Sequence, residues 1–229
     1  MTVPDVATVA QNIEAACRRI GRDPATVRLM AVTKQVPATT IREAMVAGVS
    51  LFGENRVQEA RSKMEVGAFQ GATLCLVGHL QSNKASLAAR LFDQVHSVDS
   101  ERLATALGKF RLQYLGDPLP VLMEVNAGED PAKNGVPASG ALGLALSILQ
   151  TPGLVLKGLM TVAPGHGDEG TARRAFRRLR LLRNELMEAG VPAVNLQELS
   201  MGMSGDYAAA IEEGSTIVRI GTALFGPRR

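Results

Sequence analysis

From residue 27 onward, short runs rich in Val, Leu, Ile and Met alternate with longer stretches whose apolar positions recur every three or four residues. The short runs predict strands at 27–34, 50–55, 73–79, 94–99, 120–126, 156–163, 195–201 and 217–224. The longer stretches predict helices near 38–47, 56–66, 83–91, 100–115, 137–149, 168–189 and 205–213, and an extra helix near 5–20 precedes the first strand. Several of the strands are almost continuously apolar, as in a parallel sheet covered by helices. Eight strand–helix units are the arithmetic of a closed (β/α)8 TIM barrel, with a doubly wound open sheet as the alternative. No Ser/Gly/Pro-rich linker divides the chain, so residues 1–229 read as one α/β domain with an added N-terminal helix.

Composition narrows the partners. Aromatics are only 3% and Trp is absent, which argues against stacking nucleic-acid bases. The net charge of +3 comes largely from Arg173, Arg174, Arg177, Arg178, Arg180 and Arg183. Ala172, Ala175, Phe176, Leu179, Leu182 and Leu186 form an apolar stripe through the same stretch, so the arginines read as a solvated helix face rather than a nucleic-acid site. Cys17 and Cys75 lack metal or redox spacing and read as buried thiols in a reducing compartment. The N-terminus lacks a signal-peptide core, and the longest apolar stretch, 141–149, is too short to cross a bilayer. A soluble cytoplasmic protein is expected.

Barrel chemistry gathers at the C-terminal ends of strands. Here those ends carry Lys34, Asn55, His79, Asn126, Met160 and Thr161, Ser200, and then Arg219, Gly221 and Thr222. A lysine closing a buried strand loses hydration, which frees its amine for Schiff-base chemistry, although it could equally snorkel to solvent. The loop Ser200-Met-Gly-Met-Ser-Gly-Asp206 offers Ser200 and Ser204 hydroxyls, with Gly202 and Gly205 allowing close approach to an anion. With Gly221 and Thr222 on the next strand it reads as a phosphate site, the plainer alternative being Ser204 as a helix cap. Arg219 shares strand parity with Gly221, so both should face the same side, and an arginine facing inward would need a ligand or an acid, with Glu124, Glu198 and Glu54 as possible partners. Asn55 with Gln58 resembles a helix capping box, and Ser82 or Asn83 could cap the next helix. Gly165-His-Gly-Asp-Glu-Gly170 matches a dinucleotide fingerprint, but Pro164, Asp168 and Glu169 speak against it. The three histidines have no metal-ligand spacing.

The segments AVTK (31–34), FGENRVQEA (52–60), VGHLQSNK (77–84), KGLMTVAP (157–164), LSMGMSGD (199–206) and GSTIVRIGTALFG (214–226) together resemble the pyridoxal phosphate homeostasis protein family. That family is similar in fold to the N-terminal barrel of alanine racemase. The resemblance implies that Lys34 carries pyridoxal 5′-phosphate (PLP) as a Schiff base and that Arg219 faces the pyridine nitrogen. It further implies that Ser200, Gly221, Thr222 and Ser204 hold the phosphate, with Asn55 beside the ring. Lys133, in the loop after the fifth strand, would assist cofactor entry or transfer, or else be an ordinary exposed loop lysine. A charged guanidinium beside the ring nitrogen weakens the ring as an electron sink. The racemase comparison also needs a tyrosine from a further domain, and neither Tyr114 nor Tyr207 matches it. The resemblance therefore implies a monomeric PLP carrier serving vitamin B6 and amino-acid homeostasis, with no catalytic residue. Apo forms of PLP-dependent enzymes are its possible acceptors. A small PLP-dependent racemase or lyase is the alternative, and an aldolase using Lys34 without a cofactor is a third reading.

Overall fold

A computed structural model describes residues 4–164 and 169–227. The strands are β1 Arg28–Val32, β2 Leu51–Glu54, β3 Thr73–Leu76, β4 Gln94–Val98, β5 Leu119–Glu124, β6 Leu154–Met160, β7 Glu198–Met203 and β8 Ile217–Ile220. They pair in parallel and in chain order, and β8 returns to β1 to close a barrel. The open sheet is thereby excluded and the (β/α)8 TIM barrel holds. Helix α1 Val6–Arg19 is the extra N-terminal helix. Helices α2 Ala38–Val46, α3 Val57–Glu65, α4 Ala85–Leu91, α5 Glu101–Tyr114, α6 Ala141–Gln150, α7 Glu169–Glu188 and α8 Tyr207–Glu212 follow β1 to β7 in turn, and α9 Thr222–Phe225 follows β8.

Hydrophobic burial is divided by the barrel wall. Phe52, Phe92, Phe176, Ile41 and Leu107 belong to the large outer core between strands and helices. Met30, Leu51, Cys75 and Ile217 form a separate small cluster with Val77. Each fully buried Leu or Phe of the outer core contributes roughly 1.5–3 kcal/mol. The apolar stripe of α7 is buried as its spacing predicted. Its arginines largely face acids: Arg173 pairs with Glu169 and Glu212, Arg178 with Glu185, and Arg180 with Glu213. Both cysteines are free and buried, and among the described residues no helix is long and apolar enough to cross a membrane.

Two boundaries differ from expectation where they matter most. The last strand was expected to run to residue 224, but it stops at Ile220, and Gly221 begins the turn into α9. The seventh strand starts later than expected, because Pro192 leads into a tight turn over Ala193–Asn195, and it runs on to Met203. Residues 165–168 of the dinucleotide-like segment lie outside the described residues.

Candidate functional site

Lys34 lies just beyond β1, half-buried in a turn closed by the Val36 amide donating to the Thr33 carbonyl at 2.9 Å. Asn55 lies just beyond β2. Helix α3 begins after Arg56 with no side-chain cap, which corrects the capping-box reading of Asn55 and Gln58. Gly78 explains how tightly the neighbouring strand end packs there: a Cβ at this position would come within 2.2 Å of the Asn55 carbonyl oxygen. Ser82 and Asn83 likewise cap nothing, since they lie inside the turn Ser82–Lys84 that leads into α4.

Across the barrel mouth, Ser204 does not cap α8, whose N-cap position is Asp206. Its hydroxyl oxygen instead accepts from the backbone amides of Gly221 and Ala223, each at 3.2 Å. Those amides open α9, so one hydroxyl ties the loop after β7 to the start of that helix. Asp206 accepts from the Met203 amide at 2.6 Å and steadies the same loop, and burial raises its carboxyl above the ordinary range. Gly202 is demanded by packing rather than by an anion: its φ is +94°, and a Cβ would lie 2.5 Å from Ala210 Cβ.

Arg219 faces inward and is 4% exposed. Among the described residues, none of its hydrogen-bond partners is a carboxylate. It donates to the Ser200 carbonyl (2.6 Å), the Ser200 hydroxyl (2.9 Å) and the Thr161 carbonyl (2.8 Å). Glu198 is bonded to Arg28 and Glu54 to Lys63, which removes two of the three expected acids. Glu124 acts on Arg219 through its field and has one carboxyl oxygen without a partner. Burial lowers the Arg219 pKa to about 10, against the pull of Glu124 and Asp206. Burial likewise raises Glu124 to about 7, with Asp99 adding and Arg219 opposing.

Ser200 departs from its expected place. It is fully buried and absent from the cleft lining, because its hydroxyl is engaged with Arg219 and with His96 Nδ1 at 3.3 Å. His96 Nε2 meets Gln94 Oε1 at 3.1 Å. An amide oxygen only accepts, so Nε2 carries the proton and Nδ1 accepts from Ser200. Ser200 is then left to accept from Arg219. Burial, reinforced by Arg219 and Arg28, pushes His96 down to about 3 and keeps this ring neutral. Sequence reading passed over His96 except to exclude metal. Its one signal was inward parity with Gln94 on a strand facing a polar interior.

Lys34, Asn55, Ser204, Arg219, Gly221 and Thr222 line one cleft of about 440 Å³, with Val32, Val77 and Val162 as aliphatic walls. Lys133, half-buried in the loop after β5, lines it too. His79 lies apart, against Asp99 at 3.3 Å in a neighbouring cleft. Among the described residues no group of His, Cys, Asp and Glu is placed to hold a metal ion. Tyr114 stacks on Phe110 under Arg90 and lies outside the cleft, as does Tyr207 at the start of α8. An amine, a buried guanidinium and the small polar group Ser204, Gly221 and Thr222 in one walled cleft fit a phosphorylated aromatic aldehyde.

Fold and cleft together define a barrel of the alanine racemase type: residues 5–229 match the family model "Alanine racemase, N-terminal domain". Alanine racemase from Corynebacterium glutamicum shares this fold at a TM-score of 0.72 and 15% identity, covering 99% of this chain and 63% of that one. A pyridoxal phosphate homeostasis protein of Pseudomonas aeruginosa is 42% identical over 224 residues, covering 98% of this chain and 94% of that protein. PipY of Synechococcus elongatus PCC7942, solved with PLP bound, is 38% identical at a TM-score of 0.82, covering 94% of this chain and all of that one (100%). The chain belongs to the pyridoxal phosphate homeostasis protein family.

Proposed function

We propose that this protein binds PLP in the cleft and serves the intracellular homeostasis of PLP and amino acids as a carrier. The observation that carries the reading is the convergence of Lys34, buried Arg219 and the Ser204, Gly221 and Thr222 group on one cleft. Lys34 would hold the cofactor as a Schiff base, and Arg219 would take the ring nitrogen. Ser204, Gly221 and Thr222 would take the phosphate, and Asn55 would flank the ring. Ser200 serves one layer below, as the hydrogen-bond partner that orients Arg219. When bound, PLP supplies an aldehyde and an electron-accepting ring. Relatives that are named PLP homeostasis proteins, and PipY solved with PLP, support the assignment. The proposed protein is a cytoplasmic monomer that gives PLP to apo-enzymes.

The carrier reading is supported by the absence of any tyrosine among the described residues lining the cleft. Lys133 is the observation that favours the alternative, a small racemase or lyase, because it places a second amine in the same cleft. A visible absorption spectrum tests the cofactor. The PLP-loaded protein should be yellow, and borohydride should fix the label on Lys34. Lys34→Ala should abolish both signals, and a chain that never acquires colour with added PLP would sink the reading.

A further inference from the structure

Lys34 occupies a turn that its own residues do not favour. Gln35, third in the Thr33–Val36 turn, has φ of +63°, a left-handed conformation usually left to glycine. Such strain persists only where the surroundings over-determine it. Here the surroundings lie behind the turn, toward α3, and none of them lines the cleft. The Lys63 side chain is only 12% exposed. Its ammonium donates to the Thr33 carbonyl (2.6 Å), to Glu54 Oε1 (2.6 Å) and to Glu59 Oε1 (2.7 Å). Glu59 Oε1 also accepts from the Gln35 amide at 2.5 Å, and Thr33 Oγ1 donates to Glu54 Oε1 at 2.7 Å. The cluster grips the backbone on both sides of Lys34.

Buried ion clusters are poor sources of net stability, since desolvation offsets most of their attraction. Geometry is the better account of this one. We infer that Glu54, Glu59 and Lys63 are positioning residues that hold the 33–36 turn in its strained form and so keep the Lys34 amine in the cleft. This rests on the reading of Lys34 as the PLP lysine. In that reaction Nζ adds to the aldehyde carbon, a C=N bond forms and the aldehyde oxygen leaves as water. The proposed phosphate contacts and the contact to the ring nitrogen come from the loop after β7, from β8 and from α9, so these do not depend on the turn.

The test compares PLP with pyridoxine 5′-phosphate, which carries an alcohol in place of the aldehyde and cannot bond Lys34. Glu59→Leu in the full-length protein should weaken PLP about tenfold by the visible band while shifting pyridoxine 5′-phosphate by less than about twofold. Glu59→Gln keeps an oxygen able to accept from the Gln35 amide and should rescue PLP binding. Adding Gln35→Gly to Glu59→Leu should also recover most of the loss, because glycine takes the left-handed φ without strain. Equal losses for both ligands, unchanged PLP binding, or no recovery with Gln35→Gly would overturn the inference. If Glu59→Leu does not fold, the triple variant Glu54→Gln, Glu59→Met, Lys63→Met removes all three charges and the acceptor for the Gln35 amide together and should show the same split between ligands. Failure of borohydride to label Lys34 in the unmodified protein would instead refute the PLP reading itself, so the two failures are distinct.

Discussion

Replacing Glu124 with Gln should change how the cofactor-free protein responds to pH, by an amount the structure sets. Glu124 is 6% exposed, and burial raises its pKa from 4.5 to about 7. Below pH 4.5 folded and unfolded chains both hold the proton, and the group is silent. Between pH 4.5 and 7 the unfolded chain has released it while the folded chain retains it, so stability falls as pH rises. Above about pH 7 both states are ionised and the loss is complete. The interval from 4.5 to about 7 corresponds to roughly 3 kcal/mol.

His96 works in the opposite sense. Its pKa is lowered from 6.5 to about 3, so below pH 6.5 the unfolded chain takes up a proton that the folded chain refuses, and stability falls on acidification. Between pH 4.5 and 6.5 the two slopes nearly cancel in the unmodified protein. Glu124→Gln mimics the protonated acid and should unmask the His96 slope, about 1.4 kcal/mol per pH unit. Urea denaturation followed by circular dichroism at half-unit steps from about pH 4 to 8 measures both proteins, and their difference cancels every titration they share. Parallel stability curves for the two proteins would refute the buried, proton-holding Glu124 described here.

Ser200→Ala removes an acceptor from buried Arg219 and a donor from neutral His96, so urea unfolding should show a loss of about 1–3 kcal/mol. Ser204→Ala leaves the Gly221 and Ala223 amides without their acceptor and should cost about 1 kcal/mol in the same assay. Thr222→Ala should reduce the preference for PLP over unphosphorylated pyridoxal by about tenfold, as read by equilibrium dialysis. The saturated protein should not racemise L- or D-alanine, serine, glutamate or lysine faster than free PLP when product chirality is followed for hours. Turnover abolished by Lys34→Ala would make the enzyme reading the better one.

The barrel was legible because eight apolar runs alternate with helical periods, and parity set Arg219 on the same side as Gly221. Lys34, Asn55, Gly221 and Thr222 were legible because strand ends converge on one mouth. What escaped were interactions between elements remote in sequence. Ser200 looked like a strand-end ligand, yet β7 runs past it to Met203, which sinks its hydroxyl beneath Arg219. Helix α9 was hidden because Thr222–Phe225 is apolar enough to pass for strand, and only Gly221 marked the break. The capping readings of Asn55 and Ser204 failed for a related reason. Local patterns describe what a side chain can do for its own helix, and tertiary placement gave both to the cleft.

Strand closure also carries a consequence for when the protein can first hold its ligand. The Lys34 turn follows the first strand, whereas Arg219, Gly221 and Thr222 belong to the last strand and the helix after it. The Asp5 amide donates to the Leu224 carbonyl at 2.9 Å, so α1 and α9 join only when the ring shuts. A chain emerging from the ribosome presents the Lys34 amine early and the proposed phosphate-binding residues and guanidinium last. Long-range closure of this kind comes late in folding. On the proposed assignment of these residues, cofactor loading would be a post-translational event that reports completion of the whole barrel, and a truncated chain would carry the lysine without the means to retain its ligand.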